Sequence, residues 1–350
     1  MKFLLSIILI FVLISSPLLT FFIFSKNVYA DGLFMEELTA SFGDRTADLL
    51  IKMDPPVVTT ETIQDQAQKP AVQFKLFDST TNQTFKEVTY FITIEKNGKT
   101  LLSDWFFSSD GDLLIQMQPR NQSQISVYGE LDPILEAYAS REGSPVVAAG
   151  PIFLEGGLYH FIVRIVTVDF SRTILPDDQQ PVFDGWLSIG AAKNANLTVD
   201  GKTIPIKVLS YYDEIGNITN DQSSNSINFT MPFSYDPKRL NDPKNSLFIH
   251  QEVEVPKPSV LSADGAYKGY TNGKDVTNVL MVDGNNQTKD VIHFMLAKPI
   301  VQQISDEYLK KINKTSADGL MTFSLGPSKN GSMAMGGGVM NHTMMAMQQQ

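Results

Sequence analysis

Short apolar runs punctuated by Asn-Gly and Asp-Gly pairs constrain what this chain can fold into. Asn97-Gly98, Asp200-Gly201 and Asn272-Gly273 stand between runs rich in Val, Ile, Phe, Tyr and Thr, and Asp110-Gly111 marks a further turn. Such pairs close tight hairpins because both central residues of the favoured turn take positive φ, which Gly, Asn and Asp tolerate. The flanking runs alternate: Val72, Phe74 and Leu76 are interleaved with Gln73 and Lys75. A period of two puts the apolar set on one face of a strand.

The pattern predicts strands over residues 47–53, 71–77, 88–95, 100–107, 113–118 and 158–168. The last is the longest apolar run after the first thirty residues and is expected in the interior of a sheet. A composition break follows at residues 190–196 (GAAKNAN). Further strands are expected over 204–212, 226–231, 247–255, 276–282, 291–296 and 320–325. Strands at about ten-residue spacing suffice for two sandwiches. Two short helices are expected, over 131–139 and over 305–312, the second with Ser305 as its N-cap. The expected fold class is all-β: two tandem Ig-like β-sandwich domains over residues 31–190 and 196–327.

The two ends differ from this body. Lys2 precedes an apolar run over residues 3–24, then Lys26 and the small-residue stop Val28-Tyr29-Ala30 ahead of Asp31. This is the layout of an export signal. The run also reaches the roughly 20 residues that span a bilayer. Residues 1–30 are therefore read as a signal peptide cleaved after Ala30 or as a retained membrane anchor. Either way the rest of the chain is expected outside the cytoplasmic membrane, secreted or anchored to its outer face, with membrane contact only through this segment. Residues 328–350 (SKNGSMAMGGGVMNHTMMAMQQQ) have few large hydrophobes besides Met and no periodicity, and are expected to be disordered.

Composition excludes several classes. The chain of 350 residues has a formal net charge of −10, and no Lys/Arg cluster offsets it, so nucleic-acid binding is not expected. There is no cysteine, which removes thiol nucleophiles, Cys-ligated zinc, iron–sulfur clusters and blue-copper sites. Without disulfides, the domains must stand on burial alone.

Nine Asn-x-Ser/Thr sequons occur, at Asn82, Asn121, Asn196, Asn217, Asn228, Asn286, Asn313, Asn330 and Asn341. Chance placement would give roughly three. The excess points to a glycoprotein whose sugars coat exposed turns.

No stretch carries a catalytic signature. A nucleophile elbow and a phosphate loop are missing, and His250-Gln251-Glu252 lacks the second histidine of the helical zinc motif. Three of the four histidines, His160, His250 and His293, sit in apolar strand segments. They are expected as packed residues, or as ligands if the fold gathers them. Tyr90, Phe91, Trp105, Phe106, Phe107, Phe183 and Trp186 are expected in packing, with a carbohydrate-stacking face as the alternative. The odd chemistry is in the tail, where Met333, Met335, Met340, Met344, Met345 and Met347 surround His342. Thioethers with one imidazole suit Cu(I), the one cofactor this sequence suggests.

The stretches GPIFLEGGLYHFIVRIVTVD, FDGWLSIG and SYYDEIGN…INFTMPFSYD…FIHQEVEVP resemble a family of uncharacterised exported proteins of ammonia-oxidising archaea. The likeness runs over residues 49–327 and rests on strand sequences. It implies a two-domain Ig-like architecture and an envelope setting, and supplies no mechanism. The functional expectation is a non-enzymatic binding or structural module of the envelope, with an envelope protein or a glycan as partner. The alternatives are a copper-handling protein using the tail, and a secreted hydrolase with an unfamiliar site.

Overall fold

The computed structural model describes residues 33–328 apart from 44, 65–68, 142–143, 172, 263–265 and 284–285. The expected export segment, the methionines and His342 of the tail, and the sequons at Asn330 and Asn341 all lie outside the described residues. Among the described residues, no helix is long and apolar enough to cross a membrane.

The chain is all-β. Its first part contains β1 (Met35–Phe42), β2 (Arg45–Asp54), α1 (Thr60–Gln64), β3 (Ala71–Asp78), β4 (Val88–Lys96), β5 (Lys99–Ser108) and β6 (Asp112–Pro119). Then follow β7 (Ser126–Tyr128), β8 (Glu130–Asp132), β9 (Ala137–Ser140), β10 (Val146–Gly150), β11 (Gly157–Thr167) and β12 (Val182–Ile189). These form two sheets, in the orders β1-β2-β3-β6-β10-β7 and β12-β11-β4-β5-β9-β8. Two pairings, β6 with β10 and β5 with β9, are parallel.

The second part contains β13 (Ala191–Val199), β14 (Lys202–Ser210), β15 (Ile218–Asp221), β16 (Ser226–Ser234), α2 (Pro237–Asn241) and β17 (Phe248–Pro256). It continues with β18 (Tyr267–Thr271), β19 (Lys274–Asp275), β20 (Leu280–Asp283), β21 (Lys289–Ala297), α3 (Lys298–Ile312) and β22 (Asp318–Pro327). Its sheets run β13-β14-β17-β21-β20 and β15-β16-β22-β18-β19.

Each part has its own core. Phe74, Tyr90, Phe161 and Val163 lie in the first, and Phe229, Val253, Phe294 and Phe323 in the second. Period-two alternation builds both. In β4, Val88, Tyr90, Ile92 and Ile94 point inward and are fully buried. Each such side chain contributes about 1.5–3 kcal/mol through lost water contact. The hairpin turns follow the sequence signal closely. Asn97-Gly98, Asp200-Gly201 and Asn272-Gly273 all have positive φ at both residues, as the primed turn requires.

Three expectations are corrected. Residues 131–139 are not helical. β8, a turn and β9 occupy them, and Leu131 and Ile134, which mimic a helical apolar face, are half or more exposed. The late helix begins at Lys298 instead of Ser305, with Pro299 in its first turn, where a missing N–H costs nothing. Ser305 is a buried mid-helix residue. Residues 191–195, expected between domains, already belong to β13, and Gly190 stands between the two cores.

The contact between the two parts is rich in charge. Lys244 pairs with Glu37 at 2.9 Å and Asp48 at 2.8 Å, Lys207 with Glu61 at 3.0 Å, and Lys96 with Glu214 at 2.7 Å. Lys96 also donates to the Gly156 carbonyl. Leu33, which precedes β1, packs in the core of the second part.

Candidate metal centre

β17 is buried on both faces. Ile249, Val253 and Val255 face the core, so the period of two sends His250 and Glu252 to the opposite face together. β21 does the same with a different set. Ile292, Phe294 and Leu296 fill the core, and His293 and Met295 face outward. Register aligns the two outward sets. Glu252 stands opposite His293, and His250 opposite Met295.

Three donor atoms meet there. His250 Nε2 lies 3.0 Å from His293 Nδ1, and each of these nitrogens lies 3.5 Å from Glu252 Oε1. A triangle with these sides has a circumradius of about 1.9 Å, just inside the roughly 2.0–2.2 Å bond length of zinc to imidazole nitrogen or carboxylate oxygen. One ion slightly above the plane of the three atoms would be equally bonded to all of them. His250 and Glu252 are buried and His293 is half-buried.

Tyr211 holds the arrangement from the side. Its hydroxyl donates to Glu252 Oε1 at 3.0 Å, and its ring stacks on His250 at 4.6 Å with 16° between the planes. Burial pushes the Glu252 carboxyl up. The His293 hydrogen bond, the charge of both imidazoles and the Tyr211 hydroxyl outweigh it and hold the carboxyl below its ordinary value. An ionised carboxylate beside two imidazoles is a donor set that transition-metal ions accept.

His160 has a different surrounding. Its Nε2 lies 2.8 Å from Asp184 and its Nδ1 3.5 Å from Glu95, while the ring stacks on Trp186 at 4.2 Å. Its two nitrogens serve two different carboxylates, so these donors do not converge on one point. The aromatic residues of the first part divide. Tyr90, Phe106 and Phe183 are core residues, and Phe91 pairs with Trp105 on the other face under Arg164.

The cluster of His250, Glu252 and His293 adjoins neither of two surface cavities. One, of 290 Å³, is lined by Asn217, Asn228, Tyr270 and Thr322, and the other, of 440 Å³, by Leu38, Val182, Asp184 and Lys244. Asn217 and Asn228 are two of the sequon residues. Asn228 is half-buried, and Asn82, Asn121, Asn196, Asn217, Asn286 and Asn313 are exposed.

The sequence reading missed Glu252; the signal that could have found it is His-x-Glu within a strand, which puts an imidazole and a carboxylate on one face. His293, the third donor, is supplied by a register that no local pattern displays. The tail residues Met333, Met335, Met340, His342, Met344, Met345 and Met347, expected as Cu(I) ligands, lie outside the described residues.

No protein-family model, no curated protein and no solved structure matches this chain.

Proposed function

We propose that this protein is an exported, non-enzymatic binding module of the cell envelope, built from two tandem Ig-like β-sandwich domains, and that its ligand is one transition-metal ion held by His250, Glu252 and His293. The observation that carries the metal reading is the triangle of donor atoms, sized for a metal–ligand bond and formed by residues from two strands. The apolar segment at residues 3–24 and the density of sequons support the envelope setting. Two sheets around each of two cores support the tandem-sandwich reading. A binding role is favoured over catalysis because the donors lie against a packed sheet, away from either surface cavity.

Calorimetric titration of the full-length protein with Zn(II) tests the reading. One ion should bind per chain at this site, and His293→Ala should abolish that binding while far-ultraviolet circular dichroism stays unchanged. Equal zinc affinity in wild type and a folded His293→Ala variant would refute it.

A further inference from the structure

The three donors occupy three corners of a rectangle on the sheet. His250 and Glu252 are two residues apart on β17, and Glu252 faces His293 across the strand pair. The fourth corner is Met295, directly opposite His250 and two residues along β21 from His293. With about 3.4 Å rise per residue and 4.8 Å between strands, each corner Cα lies about 4 Å from the centre in the plane of the sheet. All four side chains leave the same face. A thioether on a flexible stem at that corner can close over an ion that the other three hold.

We propose that Met295 supplies the fourth donor and that the ion this site selects is copper, held most firmly as Cu(I). The proposal rests on the reading of His250, Glu252 and His293 as a metal centre and names its ion. Two imidazoles and a carboxylate alone accept zinc, copper, nickel or iron with little discrimination. A thioether adds little to zinc and much to Cu(I), because soft sulfur pairs with the soft monovalent ion. The half-buried position of Met295 matches a side chain drawn over the sheet, not inserted into the core. Met281, opposite His293 on the far side from Glu252, supplies an internal control. Its Cα lies about 8 Å from the centre of the rectangle by the same spacings, too far to share the ion.

The test uses the full-length chain with the six tail methionines changed to Leu, so that the tail contributes no sulfur. In this background, Met295→Leu and Met281→Leu are compared by competition with a Cu(I) chelator and by Zn(II) titration. Leucine keeps the volume of methionine, so both variants should fold. Met295→Leu should lower Cu(I) affinity at least about tenfold and leave Zn(II) affinity within about twofold, while Met281→Leu leaves both unchanged. X-ray absorption at the copper edge should show one sulfur scatterer in Met281→Leu and none in Met295→Leu. Zn(II) binding with Cu(I) affinity unmoved by Met295→Leu would overturn the copper assignment alone. Failure of the parent chain to bind either ion would overturn the metal centre and this assignment together.

Discussion

Replacing Asp213 with Asn should make the protein more stable at neutral pH. Asp213 follows β14, where the two parts of the chain meet. Its carboxylate accepts from the Glu214 N–H at 2.7 Å and from the Leu158 N–H at 3.4 Å. Burial, opposed by these two hydrogen bonds, pushes its pKa from 3.8 to about 6. The folded state therefore holds the proton more tightly than the unfolded state. Stability contributed by this group is fully present below pH 3.8 and is lost as pH rises through about 6. At pH 7.5 the ionised group carries the whole penalty, about 3 kcal/mol at 1.36 kcal/mol per pH unit, or about 1–3 kcal/mol after allowing for its partial exposure. Asparagine cannot ionise, and its amide oxygen accepts the same two N–H groups. Thermal melts of wild type and Asp213→Asn, followed by circular dichroism at pH 7.5 and pH 4, measure the difference. The variant should melt about 2–10 °C higher at pH 7.5, with the gain largely gone at pH 4. A destabilised variant at pH 7.5, or a gain independent of pH, would show that the buried Asp213 charge carries no such penalty.

Tyr211→Phe removes the hydroxyl that steadies Glu252 and keeps the ring stacked on His250, so metal affinity should fall about tenfold with little change in melting temperature, read by calorimetry and by melts. Phe294→Ala opens a hole in the second core, where the ring is fully buried between Phe229 and Phe323, and should cost about 3–5 kcal/mol in urea unfolding. Gly98 has φ of 73° and open space around its missing Cβ, so Gly98→Ala should cost only about 1 kcal/mol, through backbone strain alone, in the same assay.

The hairpins were legible because turn chemistry is local. Two adjacent positive φ values demand Asn-Gly or Asp-Gly, and the residues declare themselves. Burial on one face was equally legible in β3 and β4, where polar and apolar residues alternate. Residues 131–139 misled because Leu131, Ile134, Leu135 and Tyr138 recur at helical spacing. What decides their fate is the parallel pairing of β9 with β5, a contact between segments about thirty residues apart. Ser305 misled in another way: a good N-cap residue in sequence sits inside a helix that Pro299 had already started. At the candidate site, the i, i+2 pair His250 and Glu252 was open to reading as one face of a strand, but the sequence reading weighed it only against the helical zinc motif. His293 was not open to such a reading, because its place beside them depends on the pairing of β17 with β21, set by core residues such as Val253 and Ile292 on the opposite face.

On the proposed reading, His250, Glu252 and His293 hold one metal ion through named atoms. Nitrogen NMR of the histidine side chains during addition of one equivalent of Zn(II) to the full-length protein tests this most directly. Nε2 of His250 and Nδ1 of His293 should both move to metal-bound positions, while His160, held between Glu95 and Asp184, stays where it was. Unmoved His250 and His293 resonances, or a shift of His160 in their place, would contradict it.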